Sequence, residues 1–188
     1  MNKRRAFLIL FIVVVLVQIG FLFSMIRKRE NTLNQGMEFR FKIAPVDPYD
    51  PVRGRYLALS LDARYVTVPE PGEYFRNQKV YAILDIDNQG FAKIARLSTE
   101  RPMYDNFFNT KIGYISVEHT SGKGRVFLVL PFTRYYMDEF EAPQAEKVYR
   151  EKQANEHTHM YIKVRVKNGF GVIEGLYIDG IHIREYVK

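Results

Sequence analysis

Residues 47–55 read Asp-Pro-Tyr-Asp-Pro-Val-Arg-Gly-Arg, the densest run of groups in this chain that could do chemistry. Two prolines fix φ and two aspartates can accept from backbone amides, so the segment is expected to be a rigid polar loop. As a binding site, Asp47, Asp50, Arg53, Arg55 and Tyr56 would offer a ligand both charges and a phenol. As structure, the same aspartates would close an Asx turn and pair with an arginine, a common use of turn aspartates. A hydrolase built on Asp47 and Asp50 would need one of the two carboxyls held protonated in a cleft. No third catalytic group accompanies them in the sequence.

A second cluster, Arg134-Tyr135-Tyr136-Met137-Asp138-Glu139, offers Arg134, Tyr135, Tyr136 and Glu139 as binding groups. An arginine over a tyrosine ring is also an ordinary structural contact. The four histidines are His119, His157, His159 and His182. His157 and His159, two apart, would share one face of a strand and could chelate a metal with Glu156. Zinc needs three or four convergent ligands, however, and the H-E-x-x-H helix pattern is missing, so no metal ligands are assigned. There is no cysteine, which removes thiolate chemistry and disulfides. No G-x-S-x-G, phosphate loop or dinucleotide glycine pattern occurs, so neither a catalytic residue nor a cofactor is expected.

These groups must be positioned by two kinds of element. From Ala6 to Ile26 the chain runs 21 residues without a charge. At about 1.5 Å per residue, a helix of that length crosses a hydrocarbon core of roughly 30 Å. The run exceeds the apolar stretch of a cleaved signal peptide and ends in Met-Ile-Arg-Lys-Arg, so it reads as an uncleaved signal anchor, a transmembrane segment within residues 1–29. Lys3, Arg4 and Arg5 on one flank nearly balance Arg27, Lys28 and Arg29 on the other; the N-terminal amine favours a cytoplasmic N-terminus and an extracytoplasmic domain. Setting those six basic residues and Glu30 apart from the chain's 28 basic and 21 acidic residues leaves the remainder near +2. That is far short of a phosphate-binding stripe, so nucleic acid is not an expected partner, whereas the bilayer, through residues 6–26, is.

Residues 30–36 are polar and without hydrophobic period, and read as a stalk. Beyond them apolar residues recur at alternate positions in MEFRFKIA (37–44), RYLALSL (55–61), VYAILDI (80–86), FAKIARL, KIGYISVEH, GRVFLVL, MYIKVRV and GVIEGLYI, the pattern of half-buried strands. Residues 87–90 (Asp-Asn-Gln-Gly) and 167–169 (Lys-Asn-Gly) are expected hairpin tips. Residues 142–157, rich in Glu, Lys and Gln, read as a short helix or a loop. Residues 54–65 superpose on 124–135 at an offset of 70, and 80–86 on 160–166 at an offset of 80. This spacing implies half-repeats of about 54–98 and 124–178 that pack their apolar faces together, with the Arg64-Tyr65 and Arg134-Tyr135 pairs brought to one surface. The expected fold is mostly β: an N-terminal transmembrane helix, then a duplicated antiparallel β domain over 37–188, a sandwich or open barrel with one short helix.

The segment VDPYDPVRGRYLALSL resembles the GDYXXLXY family, with Asp47, Pro48, Asp50, Arg53, Gly54, Tyr56 and Leu59 matching its motif. Arg55 stands where the family has Asp, and Leu61 where it has the last Tyr. The likeness extends to Arg134-Tyr135-Tyr136-x-x-Glu139 and to the GLYIDG segment at 175–180. It implies a single-anchor protein of a bacterial cell envelope, working beside a multi-pass membrane protein. The Arg at 55 removes an acid from the motif and weighs against a metal or acid–base role there. The expected function is accordingly a binding module for a membrane or envelope component, with the hydrolase as its alternative.

Overall fold

Nothing in the first 35 residues stops a helix: there is no proline, and Gly20 is the only glycine. In the computed structural model, which describes residues 3–43, 56–117, 123–138, 140–153 and 158–187, one helix, α1 (Lys3–Gln35), runs without a break. The side chains of Phe7 to Ile26 are almost all exposed, on a helix long and apolar enough to cross a bilayer. The polar residues expected as a stalk are instead its last turns, and they are docked. Thr32 is buried and returns its hydroxyl to the Lys28 carbonyl. Lys28 Nζ sits 4.5 Å from the Phe170 ring centre, and Lys167 Nζ donates to Gln35 Oε1 at 2.6 Å. Residues 27–35 hold strong helix formers and no breaker, so the helix propagates through them and tertiary contacts fix it.

Eleven strands follow among the described residues, and the alternation in the sequence locates most of them. β1 (Met37–Lys42), β2 (Tyr56–Ala58), β3 (Tyr65–Val68), β4 (Lys79–Ile86), β5 (Ala92–Ser98), β6 (Phe107–Val117), β7 (Gly124–Val129), β8 (Arg134–Tyr136), β9 (Met160–Lys167), β10 (Phe170–Ile178) and β11 (Ile181–His182) pair throughout as antiparallel ladders. They form a nearly closed sheet, ordered β1-β9-β10-β11, β2-β8 and β3-β7-β6-β4-β5. The helix expected after residue 142 is α2 (Ala142–Gln153), which packs on a short 3-10 turn, Ile183–Tyr186.

The two segments that superpose in the sequence pair with each other. Tyr56 faces Tyr136 and Val68 faces Gly124, and the register is constant from end to end, with Leu59 N–H donating to Thr133 O and Leu128 N–H to Arg64 O between. Elsewhere strands pair within their own segment, β4 with β5 and β9 with β10. The two segments drawn from the sequence are therefore joined through one backbone ladder, β2–β8 continued by β3–β7. Both expected hairpin tips are present. Asn168 and Gly169 take φ of 51° and 76°, while at 87–90 the Asp87 carboxylate accepts from Gln89 and Phe91 amides and Gly90 takes φ of 83°.

The core is aromatic at its centre. The Phe132 ring lies 4.9 Å from that of Phe41 and 5.1 Å from that of Phe108, and all three are buried. Val164, Ile162, Leu176 and Ile178 from β9 and β10 belong to the same buried core.

Candidate functional site

Asp47, Asp50, Arg53 and Arg55 lie outside the described residues, as do Glu139, Glu156, His119 and His157; the backbone picks up at Tyr56. Tyr56 stands opposite Tyr136, Leu57 opposite Tyr135 and Ala58 opposite Arg134. The first described residue after segment 47–55, Tyr56, is thus beside the Arg134-Tyr135-Tyr136 strand. Along that strand Arg134 and Tyr136 are exposed and Tyr135 is buried, the alternation a pleated strand imposes. Arg64-Tyr65 is elsewhere. Antiparallel register sets Tyr65 against Phe127, at the opposite end of the ladder from Tyr135, and the Tyr65 ring carries the Arg125 guanidinium instead.

Tyr135 points into a cluster that draws on the far end of the chain. Its hydroxyl lies 3.5 Å from His182 Nε2, while His182 Nδ1 accepts the Arg184 backbone N–H at 3.2 Å. Accepting at Nδ1 leaves the neutral ring's proton on Nε2, aimed at the Tyr135 oxygen. The edge of His182 meets the Tyr177 ring at 5.2 Å, and Arg184 Nε pairs with Glu141 Oε2 at 3.5 Å. Burial, and after it the Arg184 charge, holds the His182 pKa below its ordinary value. Burial raises that of Tyr135, with Arg184 opposing. Both groups are therefore neutral near pH 7 and face each other as hydrogen-bond donor and acceptor.

Gly175 explains why a glycine opens the GLYIDG segment. It follows a bulge in β10 between Ile173 and Gly175, and a Cβ there would come within 2.7 Å of His182 Nε2. Asp179 and Gly180, with φ of 50° and 86°, then turn the chain so that His182 lies opposite Tyr177. This hairpin, and with it His182, Arg184 and Glu141, escaped the sequence reading. The Asp-Gly pair at 179–180 is the signal that could have exposed it.

His159 donates its backbone N–H to Asp179 Oδ1, and among the described residues no three His, Cys, Asp or Glu side chains gather as a metal site would need. The corner formed by β2, β8, the β10–β11 turn and the start of α2 thus collects the described parts of the three segments that the sequence singled out, residues 47–61 (from Tyr56 on), 134–139 and 175–180. The chain matches the protein family described as GDYXXLXY protein over residues 18–176. No match was found among curated proteins or among solved structures.

Proposed function

The chain belongs to the GDYXXLXY family, and from that premise we propose that it is a membrane-tethered binding module, held by α1 as an uncleaved anchor with the N-terminus in the cytoplasm, whose β domain engages a membrane or envelope component outside it. A multi-pass membrane protein suits this reading, since an anchored module is already confined to the same plane. The binding groups we assign are Asp47, Asp50, Arg53, Arg55 and Tyr56 together with Arg134, Tyr135, Tyr136 and Glu139. The observation that carries the proposal is the register placing Tyr56 opposite Tyr136, which joins two distant polar segments on one edge. An uncleaved anchor is favoured by the docking of the helix's last turns through Thr32, Lys28 and Gln35, which makes the segment part of the domain.

The test is photocrosslinking in cells from a photoreactive residue at position 55, with mass spectrometry of the captured species. The proposal expects one reproducible membrane protein, lost when Arg53 and Arg134 are both changed to Ala. Capture that persists in that double variant would overturn it.

A further inference from the structure

Resting on the anchored reading above, we propose a second membrane contact: the loop at residues 101–105 seats Met103 and Tyr104 in the headgroup layer of the leaflet from which α1 emerges, with Arg101 beside them on the lipid phosphates.

The docked helix sets the height of the domain above the bilayer. Ile26 ends the charge-free run. Lys28, whose Nζ lies over the Phe170 ring, is about 3 Å further along the axis, and Asn31 and Gln35, both accepting from Lys167 Nζ, are about 8 to 14 Å further. The β9–β10 hairpin therefore points its tip, Asn168 and Gly169, back along α1 toward the bilayer. The 101–105 loop is bound to that tip. Arg101 Nη2 donates to Asn168 Oδ1 at 3.2 Å, Asp105 Oδ1 accepts the Asn168 N–H at 3.3 Å, and Asn109 N–H donates to the Gly169 carbonyl at 2.8 Å.

On a loop so placed, Met103 is 98% exposed and Tyr104 78%, two adjacent apolar side chains that the protein itself leaves bare. In water that exposure is unfavourable, but in the headgroup layer it is not. A tyrosine ring suits the layer between water and acyl chains, and an unbranched methionine adapts to it. The neighbouring charges, Arg27, Lys28, Arg29, Arg101 and Lys167 against Glu30, Glu100 and Asp105, leave a positive balance that favours anionic lipid. Phe140, 94% exposed, provides the contrast. It precedes α2, which packs on the turn after β11; β10 spans roughly 25 Å from Phe170 beside the anchor to Ile178 at that far end.

The chain has no tryptophan, so a single introduced one reports alone. Tyr104→Trp, Phe11→Trp and Phe140→Trp would be made in the full chain, in vesicles of phosphatidylcholine and phosphatidylglycerol carrying a doxyl quencher either near the headgroup or at mid-chain. The expected result is a blue-shifted emission at position 104 that is lost mainly to the headgroup quencher. Emission at position 11 should be lost mainly to the mid-chain quencher, and emission at position 140 to neither. If position 104 behaves like position 140 while position 11 is quenched, the loop contact is wrong and the anchor stands. If position 11 escapes quenching, the anchored reading itself fails, and the loop contact with it. Met103→Trp provides the same readout should Tyr104→Trp fail to fold.

Discussion

The Tyr135 hydroxyl faces His182 Nε2 across 3.5 Å, although 47 residues separate the two in the chain. The contact ties β8, the partner of β2, to the C-terminal hairpin, and it exists only because Gly175 leaves room for the imidazole. Disturbing any of these three positions should therefore be felt at the other two, and through the β2–β8 ladder at Tyr56.

Gly175→Ala is the sharpest disturbance. Its Cβ would meet the His182 ring and the edge of the Tyr177 ring, so the imidazole must move away from Tyr135. Overpacking of this kind costs typically about 1 to 3 kcal/mol. Urea denaturation of the full chain in detergent should register that loss, and Gly175→Ala combined with His182→Ala should recover part of it, since the smaller side chain makes room for the new methyl.

His182 should make stability depend on pH in a defined direction. Its folded pKa lies below the ordinary value of about 6.5, so in the window beneath that pH the unfolded chain takes up a proton that the folded chain refuses. The stabilisation is complete above about pH 6.5 and is lost as pH falls through the folded pKa. His182→Gln, which keeps a side-chain amide donor but does not titrate, should flatten this part of a denaturation-versus-pH curve. An unchanged slope would assign the effect to another group.

Phe132 closes the aromatic centre between Phe41 and Phe108, and Gly171 packs beneath it with a virtual Cβ 3.1 Å from its ring. Phe132→Ala should cost about 3 to 5 kcal/mol, the range for deleting a buried aromatic side chain. Thermal unfolding followed by circular dichroism would show it as a large fall in the midpoint.

Gly36 joins α1 to β1, and an added Cβ would collide with the Thr32 carbonyl oxygen and crowd the Val166 backbone. Gly36→Ala should loosen the helix from the domain. Amide hydrogen exchange should then rise across residues 28–36 while the exchange of β4 and β6 stays unchanged.

Much of this fold was legible in the sequence, because two patterns dominate it. A charge-free run sets the first part of α1, and alternation sets the seven longest strands and the three-residue β2, whose inward faces must be apolar. The strands that were missed are short. β3, β8 and β11 hold too few residues for a period to show, and each is fixed by its partner rather than by its own composition. The last turns of α1 have no apolar period because their contacts are Thr32, Lys28 and Gln35 rather than a hydrophobic stripe. The site was half legible. Residue types picked out Arg134, Tyr135 and Tyr136, but no local pattern in the sequence pairs Tyr135 with His182 or Tyr56 with Tyr136. The superposition of 54–65 on 124–135 suggested Arg-Tyr pairs side by side, whereas antiparallel register sends them to opposite ends.

The central claim is that segment 47–55 and β8 together are where a partner binds, and a comparison of crosslinking positions tests it most directly. Photoreactive residues would be placed one at a time in cells at positions 55, 136 and 67, the last on the exposed face of β3 at the other end of the same ladder. The account predicts that positions 55 and 136 capture the same membrane protein and that position 67 does not. Capture of that protein from position 67 as readily as from the corner, or of different proteins from 55 and 136, would contradict it.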